Sequence, residues 1–125
     1  MGSMKHHESK LQVECVKWFR LQFPNLLIFA IPNGNKRNAI TGAILKAEGV
    51  LAGVADLCIM KPNGQCFFIE MKSEKGKQSE SQKAFEAYCK TNGYCYYVVN
   101  SFDVFVYIVK SECITIKTAL INGND

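Results

Sequence analysis

The stretch GVADLCIMKPNGQCFFIEMKSEKG, residues 53–76, decides how the chain folds. Two apolar runs, 55–60 and 65–71, flank Pro62-Asn63-Gly64. Asn-Gly tolerates the positive φ that a tight turn needs, and each run has the length and composition of a strand, so the stretch reads as a buried β-hairpin. Three charges stand inside it: Asp56, Glu70 and Lys72. Side chains two apart in a strand share a face, so Glu70 and Lys72 point one way while Ile69 and Met71 point the other, towards a core. The turn lies midway between 56 and 71, which brings Asp56 opposite residues 70–72. Two adjacent carboxylates repel each other; a hard divalent cation removes that penalty, and a nearby lysine can position a water, take its proton or stabilise developing negative charge. This is equipment for metal-assisted hydrolysis of a phosphodiester. A structural salt bridge from Lys72 to either carboxylate is the alternative, and the spacing alone does not separate the two.

Working outward, residues 9–23 carry Leu11, Cys15, Trp18 and Phe19 at helical spacing, and Pro24 ends that helix. Residues 26–31 have strand length, 32–35 (Pro-Asn-Gly-Asn) form a loop, and 39–48 suit a short helix stopped by Gly49. Residues 79–91 read as a helix capped by Ser79, with an apolar face at Phe85, Tyr88 and Cys89 and a polar face at Ser79, Gln82 and Glu86. Residues 94–99 are a strand. Residues 101–109 are ambiguous, β-prone in composition but opened by Ser-Phe-Asp, and the helical reading is preferred. The order α-β-(α)-β-β-α-β-α predicts an α/β fold with a central mixed sheet and helices on both faces.

The chain has 125 residues, 48% of them apolar, enough for one domain with a real core. No apolar run approaches the roughly 20 residues of a membrane span, and no secretory signal is visible, so a cytoplasmic location (bacterial, or that of a phage-infected host) is expected. Met1-Gly2-Ser3 ahead of Met4 reads as a cloning remnant. The six cysteines show no CxxC spacing and are expected as free buried thiols rather than a zinc or redox site. The formal net charge of +4 permits nucleic-acid binding without requiring it.

Several pieces in order carry a resemblance: Glu8-x3-Gln12 leading to Trp18, FAIPNGNKRNAITGAILKAEGV (residues 29–50), GVADL, FIEMK and GKQSESQ (residues 76–82). The chain resembles the PD-(D/E)xK nuclease superfamily, with its restriction-endonuclease-like core, and within it the VRR-NUC family in its small stand-alone phage and bacterial form. By that resemblance Asp56, Glu70 and Lys72 are the D, E and K of the motif. Asp56, Glu70 and the Met71 carbonyl would hold Mg²⁺ or Mn²⁺, Gln82 would sit near the catalytic lysine, and Glu8 would add an acidic group, with Glu14 as its rival. Ala55 stands where the family usually has proline; the change removes a fixed φ but no ligand.

Asn33, Lys36 and Arg37 in the first loop, Lys46, the Lys75–Lys77 loop, Ser79 and Lys83 are the expected DNA contacts, to phosphates rather than bases. The small family members are similar to Holliday-junction resolvases acting as homodimers, which implies a branched-DNA endonuclease, with no small-molecule cofactor and no membrane partner. The apolar stretches at 104–108 and 120–121 could cover an interface or belong to the core. A nicking, flap or exonuclease activity and a non-cleaving DNA-binding module remain the other readings.

Overall fold

The computed structural model describes the backbone of residues 2–32 and 39–122 and the side chains of 7–32 and 40–113. Its elements are α1 (Gly2–Gln22), β1 (Leu27–Ala30), α2 (Ala39–Ala47), β2 (Leu57–Met60), β3 (Cys66–Met71), α3 (Glu80–Thr91), β4 (Cys95–Val99) and α4 (Phe102–Asn122). The hairpin turns through Asn63 and Gly64, at φ 67° and 78°, the left-handed region that these two residues tolerate best. Leu57 pairs with Ile69 and Met60 with Cys66 across it. β1 adds antiparallel to β2, and β4 adds parallel to β3 after the α3 crossover, giving the order β1-β2-β3-β4. The sheet is mixed, as the sequence predicts, and β3 is covered by a strand on each side.

Alternation along β3 divides the sheet into two faces. Phe67, Ile69 and Met71 enter the main core with Leu57, Ile59 and Val99, under Cys15 and Phe19 of α1 and Phe105 and Val109 of α4. Phe68 faces the opposite layer, where Phe85 of α3 meets it edge to face at 5.3 Å and Ala55, Cys89 and Tyr96 are buried. Helices therefore flank both faces.

The ambiguous segment after β4 is helical. Ser101 Oγ accepts from the Val104 N–H at 3.2 Å, closing the first turn. Phe105, Val109 and Cys113 then bury one helical stripe, while Val104 and Tyr107 are exposed. Residues 104–108 thus contribute to the core rather than presenting a continuous apolar face; the side chains of 120 and 121 lie outside the described residues. α1 begins earlier than apolar periodicity suggests, because its polar start contains residues compatible with a helix but no stripe to mark it. β2 begins at Leu57, so Asp56 falls just ahead of the strand, although its carbonyl still accepts from the Ile31 N–H at 2.8 Å.

Two expectations need correction. Tyr88 is 62% exposed, not part of the buried face of α3. Phe85 and Cys89, four apart, already fill the narrow stripe that meets the sheet, and Tyr88 turns aside into a cleft shared with Val50 and Leu51. Of the six cysteines, all free, Cys95 is exposed and Cys66 half-buried; Cys95 opens β4, an edge strand of the sheet.

The hairpin turn is tied to α4. Lys61 Nζ lies 2.6 Å from Glu112 Oε1, with side chains only 11% and 12% exposed, and the Tyr97 hydroxyl donates to the other carboxylate oxygen. Burial alone would raise the Glu112 carboxyl, but the hydrogen bonds from Lys61 and Tyr97 outweigh it and hold it below the usual range. Glu112→Ala strands both donors and should cost about 2 kcal/mol or more in urea unfolding, with a paired Lys61→Met/Glu112→Leu replacement recovering much of the loss.

Candidate active site

The hairpin's period-two alternation puts Glu70 on the α3 face of β3, where it is 1% exposed. Its carboxylate is surrounded by donors. Gln82 Nε2 donates to Oε2 at 2.7 Å, Lys72 Nζ stands 3.8 Å from the same oxygen, and the Tyr96 hydroxyl is 3.5 Å from Oε1. Gln82 reaches there because of how α3 starts. Ser79 Oγ accepts from the Gln82 N–H at 3.2 Å, and the Ser79 N–H donates to Gln82 Oε1 at 2.8 Å, a complete capping box. With Oε1 committed as acceptor, the amide must present its nitrogen to Glu70. The loop before Asp56 fixes α3 in place. Gly53, at φ 90°, approaches so closely that a Cβ there would lie 2.3 Å from the Ser81 carbonyl oxygen, so only glycine fits.

On the other side of the strand end, two carboxylates hold the backbone. Asp56 Oδ2 accepts from the Met71 N–H at 2.7 Å, and Glu8 Oε2 accepts from the Ser73 N–H at 3.2 Å. Glu8, Asp56 and Met71 line the head of a groove of about 880 Å³ between α1 and β1.

Burial, then the proximity of Asp56, pushes the Glu70 carboxyl up to about 8, against the pull of Lys72 and Tyr96. Asp56 is also raised, by burial first; the Met71 N–H opposes this and Glu8 adds to it. The Tyr96 hydroxyl is raised by burial and by Glu70. Burial and the neighbouring carboxyl thus disfavour the charged form of Glu70 more than its donors favour it. Ser73 Oγ, buried beside it, has no hydrogen-bond partner. Among the described residues no three His, Cys, Asp or Glu side chains close around one point. Two carboxylates and a backbone carbonyl are nonetheless a donor set that suits Mg²⁺ or Mn²⁺, which keep several waters of their own. The residues fit such a cation, and its charge would relieve the strain on Glu70.

The structure therefore brings together Glu8, Asp56, Glu70, Met71, Lys72 and Gln82. Glu14 is exposed on α1 and makes no hydrogen bond to the strand end. Ser79 uses its hydroxyl for the cap, and Lys83 lies 3.5 Å from Glu80. Lys75 and Lys77 are exposed on the loop between β3 and α3, whereas Lys46 lines the separate cleft between α2 and α3. Asn33, Lys36 and Arg37 lie outside the described residues. Tyr96 and Gly53 were not foreseen. Tyr96 reaches Glu70 only because β4 pairs parallel with β3 in the register Phe68↔Tyr96, which no local pattern reveals. Gly53 does carry a signal, a glycine three residues ahead of a charged strand entry.

A central mixed sheet with an acidic strand end and a lysine beside it is an arrangement that could serve phosphodiester hydrolysis. A model of the VRR-NUC domain matches residues 3–103, and the chain belongs to that family. Membership implies a nuclease of the PD-(D/E)xK type with DNA as substrate. Two solved structures share the fold. One, titled VRR_NUC domain, has a TM-score of 0.61 and 21% identity over 83% of this chain and 95% of its own. Another, titled VRR_NUC domain protein, has a TM-score of 0.67 and 24% identity over 83% of this chain and 85% of its own. No curated protein matches this chain.

The folded value of Glu70 lies above its unfolded one, so its contribution to stability is present below about 4.5 and lost as pH rises through about 8. Glu70→Gln escapes that loss. In EDTA the variant should become progressively more stable than the wild type across this window, read by urea unfolding. At pH 8, Mn²⁺ should stabilise the wild type and not the variant.

Proposed function

We propose that this protein is a divalent-metal-dependent DNA endonuclease that cuts branched DNA, such as a four-way junction, as a homodimer of one-domain subunits. The observation that carries the reading is the cluster of Asp56, Glu70, Lys72 and Gln82 at one strand end, where a buried carboxylate is held beside a second one and a lysine. Asp56, Glu70 and the Met71 carbonyl would hold Mg²⁺ or Mn²⁺, with Glu8 as an additional acidic group. When bound, the cation neutralises charge developing on the phosphate and acidifies a coordinated water. Lys72 Nζ would orient the attacking water and, as the ammonium, donate to the phosphate oxygen on which charge develops; only as the neutral amine would it take the water's proton. Gln82, fixed by its cap, holds Glu70 with Oε2 engaged and thereby sets the angle of the carboxylate. Lys75 and Lys77, on the loop that leaves the site, contact flanking phosphates, with Asn33, Lys36, Arg37, Lys46, Ser79 and Lys83 as further contacts.

The homodimer draws support from an apolar surface on the α2 side. Ile40, Ile44, Val50, Leu51 and Tyr88 are 74%, 54%, 46%, 59% and 62% exposed. Exposed apolar side chains of this kind suit burial against a second copy, and two sites related by a two-fold axis suit a substrate of matching symmetry. Among the described residues no helix is long and apolar enough to cross a membrane.

End-labelled four-way junction, flap, splayed arm, duplex and single strand, each incubated with Mg²⁺, Mn²⁺ or EDTA, test the reading. Paired symmetrical cuts in the junction are expected, lost in EDTA and reduced roughly 10²–10⁴-fold in Lys72→Ala. Leu51→Asp should yield a monomer by sedimentation and uncouple the two cuts. Cuts confined to flaps or single strands would replace the resolvase with another nuclease activity. Metal-independent binding without any cleavage would leave a DNA-binding module.

A further inference from the structure

The groove between α1 and β1 does not end at the acidic cluster. Glu8, Asp56 and Met71 line its head, and Lys17, Arg20, Leu21 and Phe29 line its far end. On α1 its lining positions are 8, 12, 16 and 20, and 9, 13, 17 and 21. Repeats of four along a helix form a stripe that winds slowly round the axis, so one face of α1 leads continuously from the site to the end of the helix. The opposite stripe, with Leu11, Cys15 and Phe19, serves the core.

Charge changes sign along this stripe. The carboxylates Glu8 and Asp56 are at the head. Lys17 and Arg20 are at the tail, both exposed. Neither takes part in an ion pair among the described residues, and no acidic residue lines the groove beside them. Leu21 and Phe29 are 73% and 40% exposed, giving the tail apolar walls between its cations. A cation-seeking head joined to a basic, partly apolar tail is complementary to one polyanion, a nucleic-acid strand whose scissile phosphate sits at the head. At a helical rise of about 1.5 Å per residue, Lys17 and Arg20 lie about 14 and 18 Å along α1 from Glu8. Consecutive phosphates along one strand lie about 6–7 Å apart, roughly twice the axial rise, so this is two or three nucleotide steps.

We infer that this groove carries the phosphodiester backbone of one DNA strand away from the candidate active site, with Lys17 and Arg20 contacting phosphates about two or three nucleotides from the bond that is cut. The inference rests on the nuclease reading for its direction, but its binding readout does not depend on cleavage.

The test compares wild type, Lys17→Ala/Arg20→Ala and, as a charge-matched control, Lys90→Ala/Lys110→Ala. Binding of a fluorescent DNA duplex and of a single strand is measured by anisotropy in EDTA across a salt series. Loss of two phosphate contacts should make the slope of log affinity against log salt shallower by about 1.4–1.8 in Lys17→Ala/Arg20→Ala relative to the control. In Mn²⁺, substrates whose cut strand extends about one or about eight nucleotides past the cleaved bond are then compared. Wild type and control should show a lower KM for the longer strand. Lys17→Ala/Arg20→Ala should lose that advantage while kcat on the short substrate is unchanged. Failure of the wild type to cleave any substrate would overturn the nuclease reading, with the salt slopes still deciding the groove. A slope and a length dependence equal to the control's would overturn the groove assignment while leaving the nuclease intact. A changed sedimentation coefficient with an unchanged slope would also overturn it, assigning the groove to contact between two copies of the chain.

Discussion

A carboxylate kept out of water next to another carboxylate is the constraint on which the rest of this structure depends. Desolvating one such ion costs several kcal/mol even after relaxation, and Glu70 bears that cost 1% exposed and with Asp56 nearby. The fold meets it with direct donors rather than solvent. Gln82 supplies the shortest contact at 2.7 Å, while Lys72 and Tyr96 stand farther off. These donors come from α3, the residue after β3, and β4, so the carboxylate is only tolerable once those elements have assembled. The donors do not offset burial and the neighbouring Asp56, which leave the Glu70 carboxyl raised to about 8; a cation beside it would favour the ionised form.

The requirement propagates outward. Gln82 is useful only if its amide faces the right way, which the Ser79 capping box secures. The cap is in place only if α3 starts above the strand end, and the close approach of Gly53 to Ser81 sets that position. Behind the sheet, Ile69 and Met71 anchor the same strand in the aromatic and aliphatic core beneath α1 and α4. Strand β3 therefore acts as a rigid bar with its apolar side locked and its polar side presented. α1 is divided similarly: one stripe packs, and the other carries Glu8 to the strand end and continues as the wall of a groove.

The hairpin made much of this legible in the sequence. A two-residue alternation and an Asn-Gly turn are local signals, and they suffice to place Asp56, Glu70 and Lys72 together. Ser79 and Gln82, three apart at a helix start, are equally local. Tyr96 is not, because its approach to Glu70 depends on a parallel register set by a crossover. The segment after β4 was balanced between strand and helix because its β-branched residues favour one and its Ser101 cap the other; packing of Phe105 and Val109 decides for the helix. Tyr88 misleads because an apolar residue on a helix can face a second cleft instead of the sheet. The groove along α1 escaped notice because its lining mixes Glu, Gln, Val, Lys and Arg, and apolar periodicity detects only the stripe that is buried.

The central claim is that the Asp56 and Glu70 carboxylates form the seat of a divalent cation. Diffraction from crystals soaked in Mn²⁺, with anomalous differences recorded for wild type and for Asp56→Asn, tests it most directly. The account predicts one or two strong peaks bounded by Asp56, Glu70 and the Met71 carbonyl, absent in the variant. A wild-type map with no peak there, or with Mn²⁺ bound only elsewhere on the surface, would contradict it and leave the cluster as a buried ion pair.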